Sequence, residues 1–354
     1  MIKQNKTVNT IMVTGNLGYI GSIIVPTLIN KGYSVVGFDT GYYMKECLLY
    51  NEEREPVKQI LKDIRDVSKG DLESIDAIIH LAALSNDPLG ELEPSITEEV
   101  NYQGTLRLAA LAKESGVKRF VYASSQSMYG IANSQDELDE DNSTKNPLTA
   151  YAKTKWMAEC ELKKMCDDHF IVSCFRPSTV FGASPRIRCD IVFNNLVASA
   201  YTTGKIEIKS DGTPWRPVIH VNDVSQAFIA GVEAPIELIN NESFNIGIFN
   251  GNFTVKQLAD AAQQVVPDST ITYTGEHGSD SRTYKVSFNK ILTRLNNYFQ
   301  PIWDLNRGGK QLVECFTNIN FTEDDFRSNK CNRLLHLKKL IASKKINKKL
   351  RWIN

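Results

Sequence analysis

Short apolar segments alternate with helical ones through the first half of this 354-residue chain, and this rhythm constrains its fold most. The pattern of buried strands occurs at residues 9–14, 33–38, 75–81, 118–123 and 170–176, with a less obvious strand near 57–64. Helical segments run to Leu28 after the first strand and over residues 94–115 and 147–166. Buried strands that alternate with helices build a parallel sheet with helices on both faces. The sequence therefore predicts an α/β fold with a doubly wound parallel sheet.

The rhythm loosens after Arg176 into mixed strands, loops and helices. A single core rarely grows beyond roughly 250–300 residues, so the length favours a second unit. We expect residues 1–176, with a returning segment near 217–247, to form the domain that contains the sheet. Residues 177–354 are expected to form mainly a smaller mixed α/β lobe, which ends in a basic helical tail at 321–354.

Charge is distributed unevenly along the chain, although 41 basic residues balance 41 acidic ones. Ten Lys and Arg residues and no acid fall within 327–354, so the rest of the chain is acidic and would repel nucleic-acid phosphates. Leucine and isoleucine recur in this tail at near-helical spacing, which favours packing against the body or against a second subunit. We therefore expect no nucleic-acid partner.

Apolar runs and cysteines indicate the compartment. No run approaches the ~18 apolar residues of a membrane helix, and the N-terminal residues lack the apolar stretch of a signal peptide. The cysteines, at 47, 160, 166, 174, 189, 315 and 331, form no CxxC pair, and no histidine cluster has zinc spacing. These features predict reduced thiols in a cytoplasm, no structural metal and no membrane insertion.

Three glycines follow the first predicted strand. Residues 14–22, TGNLGYIGS, place Gly15, Gly18 and Gly21 between this strand and a helix. A pyrophosphate needs glycines there because it approaches the backbone closely and is favoured by the N–H groups of a helix N-terminus. The second strand ends in Asp39, which can accept hydrogen bonds from both hydroxyls of an adenosine ribose and would repel a 2′-phosphate. Since no arginine follows within ten residues, the sequence predicts a Rossmann-type sheet that binds NAD rather than NADP.

A tyrosine and a lysine four residues apart, Tyr151 and Lys155, share one face of a predicted helix. An ammonium near a phenol favours the phenolate and lowers its pKa from about 10, as a general base for a sugar hydroxyl requires. Several serines follow the strand that ends at Ala123, at the sheet edge where ligands bind, and one of them can hydrogen-bond the reacting oxygen. A YxxxK spacing alone is common on helix surfaces, but its combination with the glycine turn, Asp39 and the serines is specific.

Further segments of the sequence match the pattern of one known protein family. HLAAL at 80–84, the Asp-Ile pair at 63–64 and VNYQGT at 100–105 complete a sequence that resembles the extended short-chain dehydrogenases/reductases, specifically the NAD-dependent nucleotide-sugar epimerases and dehydratases, from about Thr10 to Gln300. The resemblance implies that Ser125, Tyr151 and Lys155 are catalytic. It implies that NAD is bound by Gly15, Asn16, Leu17, Gly18, Tyr19, Ile20, Gly21, Asp39, Asp63, Ile64, Leu81, Ala82, Ala83, Leu84, Asn101, Ser124, Tyr151, Lys155 and Pro177. We also expect a homodimer.

The second half carries matching segments. NNL at 194–196, DGTPWRPVIHVND at 211–223 and DSR at 280–282 resemble the family's contacts to a sugar-nucleotide diphosphate. Two arginines there make physical sense, because a guanidinium offers paired donors to phosphate oxygens. The resemblance implies that a nucleotide-diphosphate sugar is bound by Ser125, Gln126, Ser127, Thr179, Asn195, Arg216 and Arg282.

Some residues differ from the family pattern, and these differences reduce the number of reactions that the chain is expected to catalyse. The 4,6-dehydratases carry an Asp-Glu pair after the catalytic hydroxyl residue, where this chain has Gln126 and Ser127, which do not shuttle protons near neutral pH. Thr179 stands where many members have asparagine, which leaves the orientation of the sugar open. We expect an epimerase that transiently oxidises a sugar hydroxyl, and not a 4,6-dehydratase. The alternatives are a nucleotide-sugar C4 dehydrogenase or 4-ketoreductase with net redox turnover, and a non-catalytic cofactor-binding protein.

Overall fold

The structure, a computed structural model, describes residues 8–44, 58–85, 87–132, 136–274 and 283–353. Its strands are β1 (Thr10–Thr14), β2 (Ser34–Asp39), β3 (Lys58–Leu61), β4 (Ala77–His80), β5 (Arg119–Ala123), β6 (Ile171–Pro177), β7 (Thr179–Phe181), β8 (Lys205–Ile208), β9 (Trp215–His220), β10 (Glu242–Ile246), β11 (Asn252–Thr254) and β12 (Thr270–Tyr273).

The helices are α1 (Gly21–Asn30), α2 (Asp87–Gly90), α3 (Pro94–Glu98), α4 (Gly104–Glu114), α5 (Ala150–Met165), α6 (Val192–Thr203), α7 (Val221–Glu233), α8 (Ile236–Ile239), α9 (Val255–Val265), α10 (Asn289–Arg294), α11 (Leu305–Asn318), α12 (Glu323–Arg327) and α13 (Arg333–Ala342). Short 3₁₀ turns span Ile64–Asp66, Lys69–Leu72 and Gln126–Tyr129, and a π-helical turn, Glu99–Gln103, interrupts the long helix that the sequence predicts at 94–115.

One parallel sheet organises the first half of the chain. Among the described residues it has seven strands, in the order β3-β2-β1-β4-β5-β6-β10. Ile11 and Val13 of β1 belong to the apolar cluster on the face covered by α1 and α7, whereas Met12 belongs to the cluster under α4 and α5. Both faces are therefore buried, and the predicted doubly wound α/β fold is confirmed.

A buried histidine ties the two central strands of the sheet together. His80 at the end of β4 shares hydrogen bonds of 2.6 Å from Nδ1 to Thr14 Oγ1 on β1 and 2.8 Å from Nε2 to Thr105 Oγ1 on α4. Burial, followed by the charge of Lys155, lowers the pKa of His80 to about 3. The ring therefore stays neutral at physiological pH and acts as a fixed link between the strands.

The second half of the chain forms a smaller mixed α/β lobe. Its described strands pair as β7-β9-β11 and β8-β12, and its core lies between them and α6, α9 and α11. One strand of this half, β10, pairs instead with β6 at the edge of the large sheet. No described helix is both long and apolar enough to cross a membrane.

The basic tail packs on the body of the molecule. Leu337, Leu340, Ile346 and Leu350 are buried in one cluster with Leu84 and Ile96, which lie between β4 and the π-helical turn. The apolar stripe of the tail thus covers the loop after β4. Its contacts lie within the same chain, as the packing interpretation of the sequence allows.

A buried ion pair anchors α5 to the sheet. The carboxylate of Glu159 accepts hydrogen bonds from Arg176 Nε on β6 at 3.1 Å, from Ser243 Oγ on β10 at 2.7 Å and from the Ser124 hydroxyl after β5. Glu159 and Arg176 are 0% and 2% exposed. One side chain therefore connects α5 with the ends or edges of three strands.

We predict that Glu159→Gln lowers the free energy of unfolding by about 3–5 kcal/mol, because it leaves the buried Arg176 guanidinium without its counter-charge. The matched control is Glu161→Gln on the same helix, which breaks an exposed pair with Lys164 and should leave the free energy of unfolding almost unchanged, because solvent screens this pair. Urea denaturation of both variants measures the difference. Equal stability of the two variants would contradict the anchoring role.

Candidate active site

A cavity of about 490 Å³ opens at the carboxyl ends of the parallel strands. It lies where β1 and β4 are neighbours and the strand order reverses, which is where ligands bind in sheets of this kind. The predicted site residues that line it are Gly15, Gly18, Tyr19, Ile20, Gly21, Asp39, Asp63, Ile64, Leu81, Ala82, Ala83, Leu84, Ser124, Ser125, Gln126, Ser127, Tyr151, Lys155, Pro177, Thr179 and Arg216. The chain thus brings most of them to one cleft.

The glycine turn fits a dinucleotide. Gly15 has φ +72°, and a Cβ atom there would lie 2.8 Å from the backbone nitrogen of Ala82. A Cβ atom on Gly21 would lie 2.3 Å from the carbonyl oxygen of Gly15. Helix α1 begins at Gly21 without a side-chain cap, and the N–H groups of Ser22 and Ile23 donate to the carbonyl oxygens of Gly18 and Ile20 at 3.1 and 3.0 Å. The positive end of the helix dipole still points toward this turn, where it favours a phosphate. A side chain at either position would therefore clash with the backbone of the turn or of the loop after β4, so glycine is needed for this close packing.

Asp39 stands at the end of β2 on the same wall. Its Oδ1 accepts a hydrogen bond from Gly41 N at 2.8 Å and its Oδ2 one from Leu17 N at 3.2 Å. Burial raises the pKa of this carboxyl, and the two backbone donors counteract that effect. Each oxygen keeps further acceptor capacity, so the carboxylate can still receive two ribose hydroxyls.

The loops after β3 and β4 form the next part of the wall. Asp63 binds Arg65 through Oδ1 to Nε at 3.0 Å and Oδ2 to Nη2 at 2.7 Å. Asn101, on the π-helical turn, is 1% exposed and holds the backbone of Leu84 by accepting from its N–H at 2.8 Å and donating to its carbonyl at 3.2 Å. Asn101 therefore positions the loop after β4 from behind, and it does not line the cavity.

Tyr151 and Lys155 both project from α5 into the cleft. The Ser125 hydroxyl is near enough to the Tyr151 phenol to oppose the rise in its pKa, and it contacts Ser127 Oγ at 2.8 Å. Lys155 is 3% exposed, and its Nζ donates to the carbonyl oxygen of Ala123 at 2.7 Å. A hydroxyl, a phenol and a buried amine thus stand together, which is the donor and acceptor set of a proton-transfer site.

The pKa values of these groups depart from the sequence expectation. Burial raises the pKa of Tyr151 to about 12, although the Ser125 hydroxyl and Arg188 act in the opposite direction. Burial lowers the pKa of Lys155 to about 7. The expected lowering of the phenol pKa by Lys155 is absent in the protein alone, because desolvation outweighs it and the amine is hydrogen-bonded to a backbone carbonyl.

Gln126 stands beside this cluster with an unused acceptor. It is 1% exposed, and its Nε2 donates to the carbonyl oxygens of Arg176 at 2.9 Å and Ile246 at 3.2 Å. Its Oε1 has no hydrogen-bond partner in the described part of the chain. A buried acceptor of this kind is rare in folded proteins, so a ligand hydroxyl is the fitting partner.

Some predicted residues lie away from the cavity. Asn195 is exposed on α6, and its Nδ2 donates to the carbonyl oxygen of Cys189 at 2.9 Å. Asn16 is buried and its Nδ2 donates to Gln59 at 2.7 Å, while Leu17 contributes the N–H that Asp39 accepts. Arg282, like Cys47, lies outside the described residues.

Other cavity residues went unnoticed in the sequence. Arg188 is 7% exposed, pairs with Asp190 at 2.9 Å and donates to Ser85 Oγ at 3.3 Å. Asp87, Tyr284, Arg333 and Leu350 also line the cavity. The alternation Arg186-x-Arg188-x-Asp190 between β7 and α6 was an available signal, whereas nothing local marks Arg333 or Leu350.

Comparison of this chain with known proteins assigns it to a protein family. The model of the NAD dependent epimerase/dehydratase family matches residues 11–247. The chain is 28% identical to a UDP-glucuronate 4-epimerase of Thermodesulfobacterium geofontis over 85% of this chain and 94% of that protein. It is 27% identical to a mouse (Mus musculus) dTDP-D-glucose 4,6-dehydratase, over 79% and 82%. The solved structure of MoeE5 in complex with UDP-glucuronic acid and NAD aligns with a TM-score of 0.75 at 25% identity, over 88% of this chain and 99% of that one.

We predict that the buried amine makes stability depend on pH. The Lys155 pKa of about 7 lies below its ordinary value of 10.5, so the folded protein binds fewer protons than the unfolded chain between these values. Its free energy of unfolding therefore rises with pH across that window. Lys155→Met should be more stable than wild type by roughly 2–4 kcal/mol below pH 7, and the difference should shrink towards pH 10.5.

Chemical denaturation at several pH values measures this effect. The control is Lys153→Met, which removes an exposed lysine of the same helix and should show no such trend. A constant difference between wild type and Lys155→Met across the window would contradict the burial of the amine.

Proposed function

Because the chain belongs to the NAD-dependent epimerase/dehydratase family, we propose that it is an NAD-dependent nucleotide-sugar epimerase. The observation that carries the proposal is the Ser125, Tyr151 and Lys155 cluster in the same cavity as the glycine turn and Asp39. A protein that only binds a cofactor would have no use for this proton-transfer set. The sheet-bearing domain, 1–176 with the returning segment near 217–247, would hold NAD, and the lobe at 177–354 the nucleotide sugar.

In the proposed reaction, NAD and the three residues of the cluster have different roles. When bound, NAD supplies the acceptor and later the donor of a hydride, together with a positive charge that favours the phenolate. Ser125 holds the reacting sugar oxygen by a hydrogen bond, and Tyr151 Oη takes its proton and returns it when the hydroxyl re-forms with the opposite configuration. Lys155 adds positive charge on the same helix face and is titratable near neutral pH.

Several groups would hold the substrate. Arg216 and Arg188 line the cavity and are suited to a diphosphate, because a guanidinium presents paired donors. The free Oε1 of Gln126 would accept a hydrogen bond from a sugar hydroxyl, and the hydroxyl of Thr179 could serve the sugar as donor or acceptor. The relative from T. geofontis is a UDP-glucuronate 4-epimerase, and MoeE5 binds UDP-glucuronic acid, which supports a sugar nucleotide of this class.

We propose that the enzyme does not dehydrate its substrate. Elimination of water needs an acid and a base beside the reacting sugar, and the positions after Ser125 hold an amide and a hydroxyl. The carboxylate of Glu159, close to Ser124, is held by Arg176 and cannot take that role.

We also propose that the protein forms a homodimer. Light scattering of the purified protein would test this, because it measures the mass of the particle in solution.

We predict that Tyr151→Phe lowers kcat by roughly 10²–10⁴-fold, since it removes the proton acceptor and leaves the ring in place. Binding of NAD, measured by calorimetry, should stay close to wild type because the rest of the cofactor wall is untouched. Turnover at the wild-type rate would rule out Tyr151 as the base.

The mass of the product distinguishes the reactions. With a panel of nucleotide sugars, we expect a product of unchanged mass with inverted configuration and no accumulation of NADH. A product lighter by one water would establish a dehydratase, and one lighter by two hydrogens a dehydrogenase. Mass spectrometry with NMR of the product and absorbance of NADH gives the three readouts.

A further inference from the structure

The segment 333–353, named here the C-terminal cap, forms the wall of the cavity beside the ends of β2 and β3. We propose that this cap completes the cofactor site: Arg333 and Leu350 bind the adenosine half of NAD and retain it in the enzyme. The inference rests on the proposed function for the identity of the cofactor. It adds binding residues from a part of the chain that lies beyond the 11–247 match to the family.

The cap is tied to the loop that directly follows Asp39. The hydroxyl of Tyr42 donates to the carbonyl oxygen of Leu350, and Trp352 Nε1 donates to the carbonyl oxygen of Thr40 at 2.7 Å. His336 Nε2 lies 2.8 Å from the carbonyl oxygen of Tyr42. In sheets of this kind the acid at the end of β2 receives the adenosine ribose, so the cap is fastened at the adenosine end.

The cap is also tied to the turn after β3. Arg65 Nη2 donates to the carbonyl oxygen of Lys349 at 2.9 Å, and the same guanidinium pairs with Asp63. Arg351 pairs with Asp66 and lies 3.5 Å from Asp63. The charge of Arg351 is thus matched by two acids of the turn after β3, one of which, Asp63, lines the cavity.

Leu350 supplies an apolar surface to this part of the cavity. It is 2% exposed and lines the cavity together with Leu84 and Ile64. Its own cluster with Leu337, Leu340 and Ile346 holds it in place. Apolar side chains in a concave cavity wall suit the faces of an adenine ring.

Arg333 supplies a polar group near Asp39. It is 2% exposed, its guanidinium lies 4.2 Å over the Tyr43 ring, and its Nη2 donates to the carbonyl oxygen of Arg186 at 2.7 Å. Its Nη1, although buried, has no hydrogen-bond partner among the described residues. Arg333 lines the same cavity as Asp39, and its charge opposes the rise in the pKa of Asp39 that burial causes.

An unpartnered donor in a cavity wall calls for an acceptor on the ligand. The acceptors at this end of a dinucleotide are the oxygens of the adenosine ribose and of its phosphate. Contacts with a cap that is itself fixed to the loops after β2 and β3 must break before NAD leaves, and they therefore slow its release. Retention of NAD suits an epimerase, which regenerates its cofactor in each turnover, and would slow a net dehydrogenase.

The test uses the full-length protein stripped of nucleotide and two variants, Arg333→Gln and Leu350→Ala. We expect calorimetry to show weaker binding of both NAD and ADP-ribose, by roughly 10- to 100-fold for Arg333→Gln and roughly tenfold for Leu350→Ala. Binding of the nucleotide sugar to NAD-saturated enzyme should be unchanged. The control is Lys338→Gln, which removes an exposed charge of α13 and should bind NAD like wild type.

Folded variants that bind NAD and ADP-ribose as wild type does would overturn the inference while the proposed function stands. Failure of the wild-type protein to bind NAD would instead refute the proposed function. If a variant does not fold, hydrogen exchange of wild type decides: ADP-ribose should slow exchange of the amides in 346–353, and unaltered exchange there would refute the role of the cap.

Discussion

The carboxylate of Glu159 is the interaction on which the geometry of the site depends. It lies one helical turn beyond Lys155 and two beyond Tyr151 on the same face of α5, and it binds groups from β6, β10 and the end of β5. Since the helix is fixed to the sheet at this point, the phenol and the amine take up defined positions over the strand ends. The buried arginine that neutralises Glu159 makes the arrangement possible without a bare charge in the core.

Sequence reasoning predicted the parts of the molecule that depend on local pattern. The glycine turn, Asp39 and the helix with Tyr151 are each read from residues close in the chain, and the sheet follows from apolar runs between helices. Asn194 and Asn195 show the limit, because neighbours on a helix are turned by about 100° from each other. The exposed Asn195 lies outside the cavity, whereas Asn194 is buried, accepts from Gly182 N and donates to the Tyr19 hydroxyl.

Features that depend on tertiary structure could not be predicted from the sequence. The tail returns over some 300 residues to the loop after β2, and no periodicity within 321–354 indicates that destination. The desolvation of Tyr151 and Lys155 could not be predicted from the sequence either. Their spacing shows that they share a helix face, but it does not show how deeply the two side chains are buried. Burial opposes ionisation of each group, and it therefore reverses the simple expectation for the phenol.

The short 3₁₀ turn that carries Gln126 has a consequence for how such proteins diverge. Its backbone is shaped by the Ser125 side chain, which accepts from Ser127 N, and by the amide of Gln126, which donates to carbonyls of β6 and β10. Only the free oxygen of that amide remains to meet a ligand. Proteins that diverge at this one side chain therefore change both the group that meets a ligand and the contacts that hold the turn to β6 and β10.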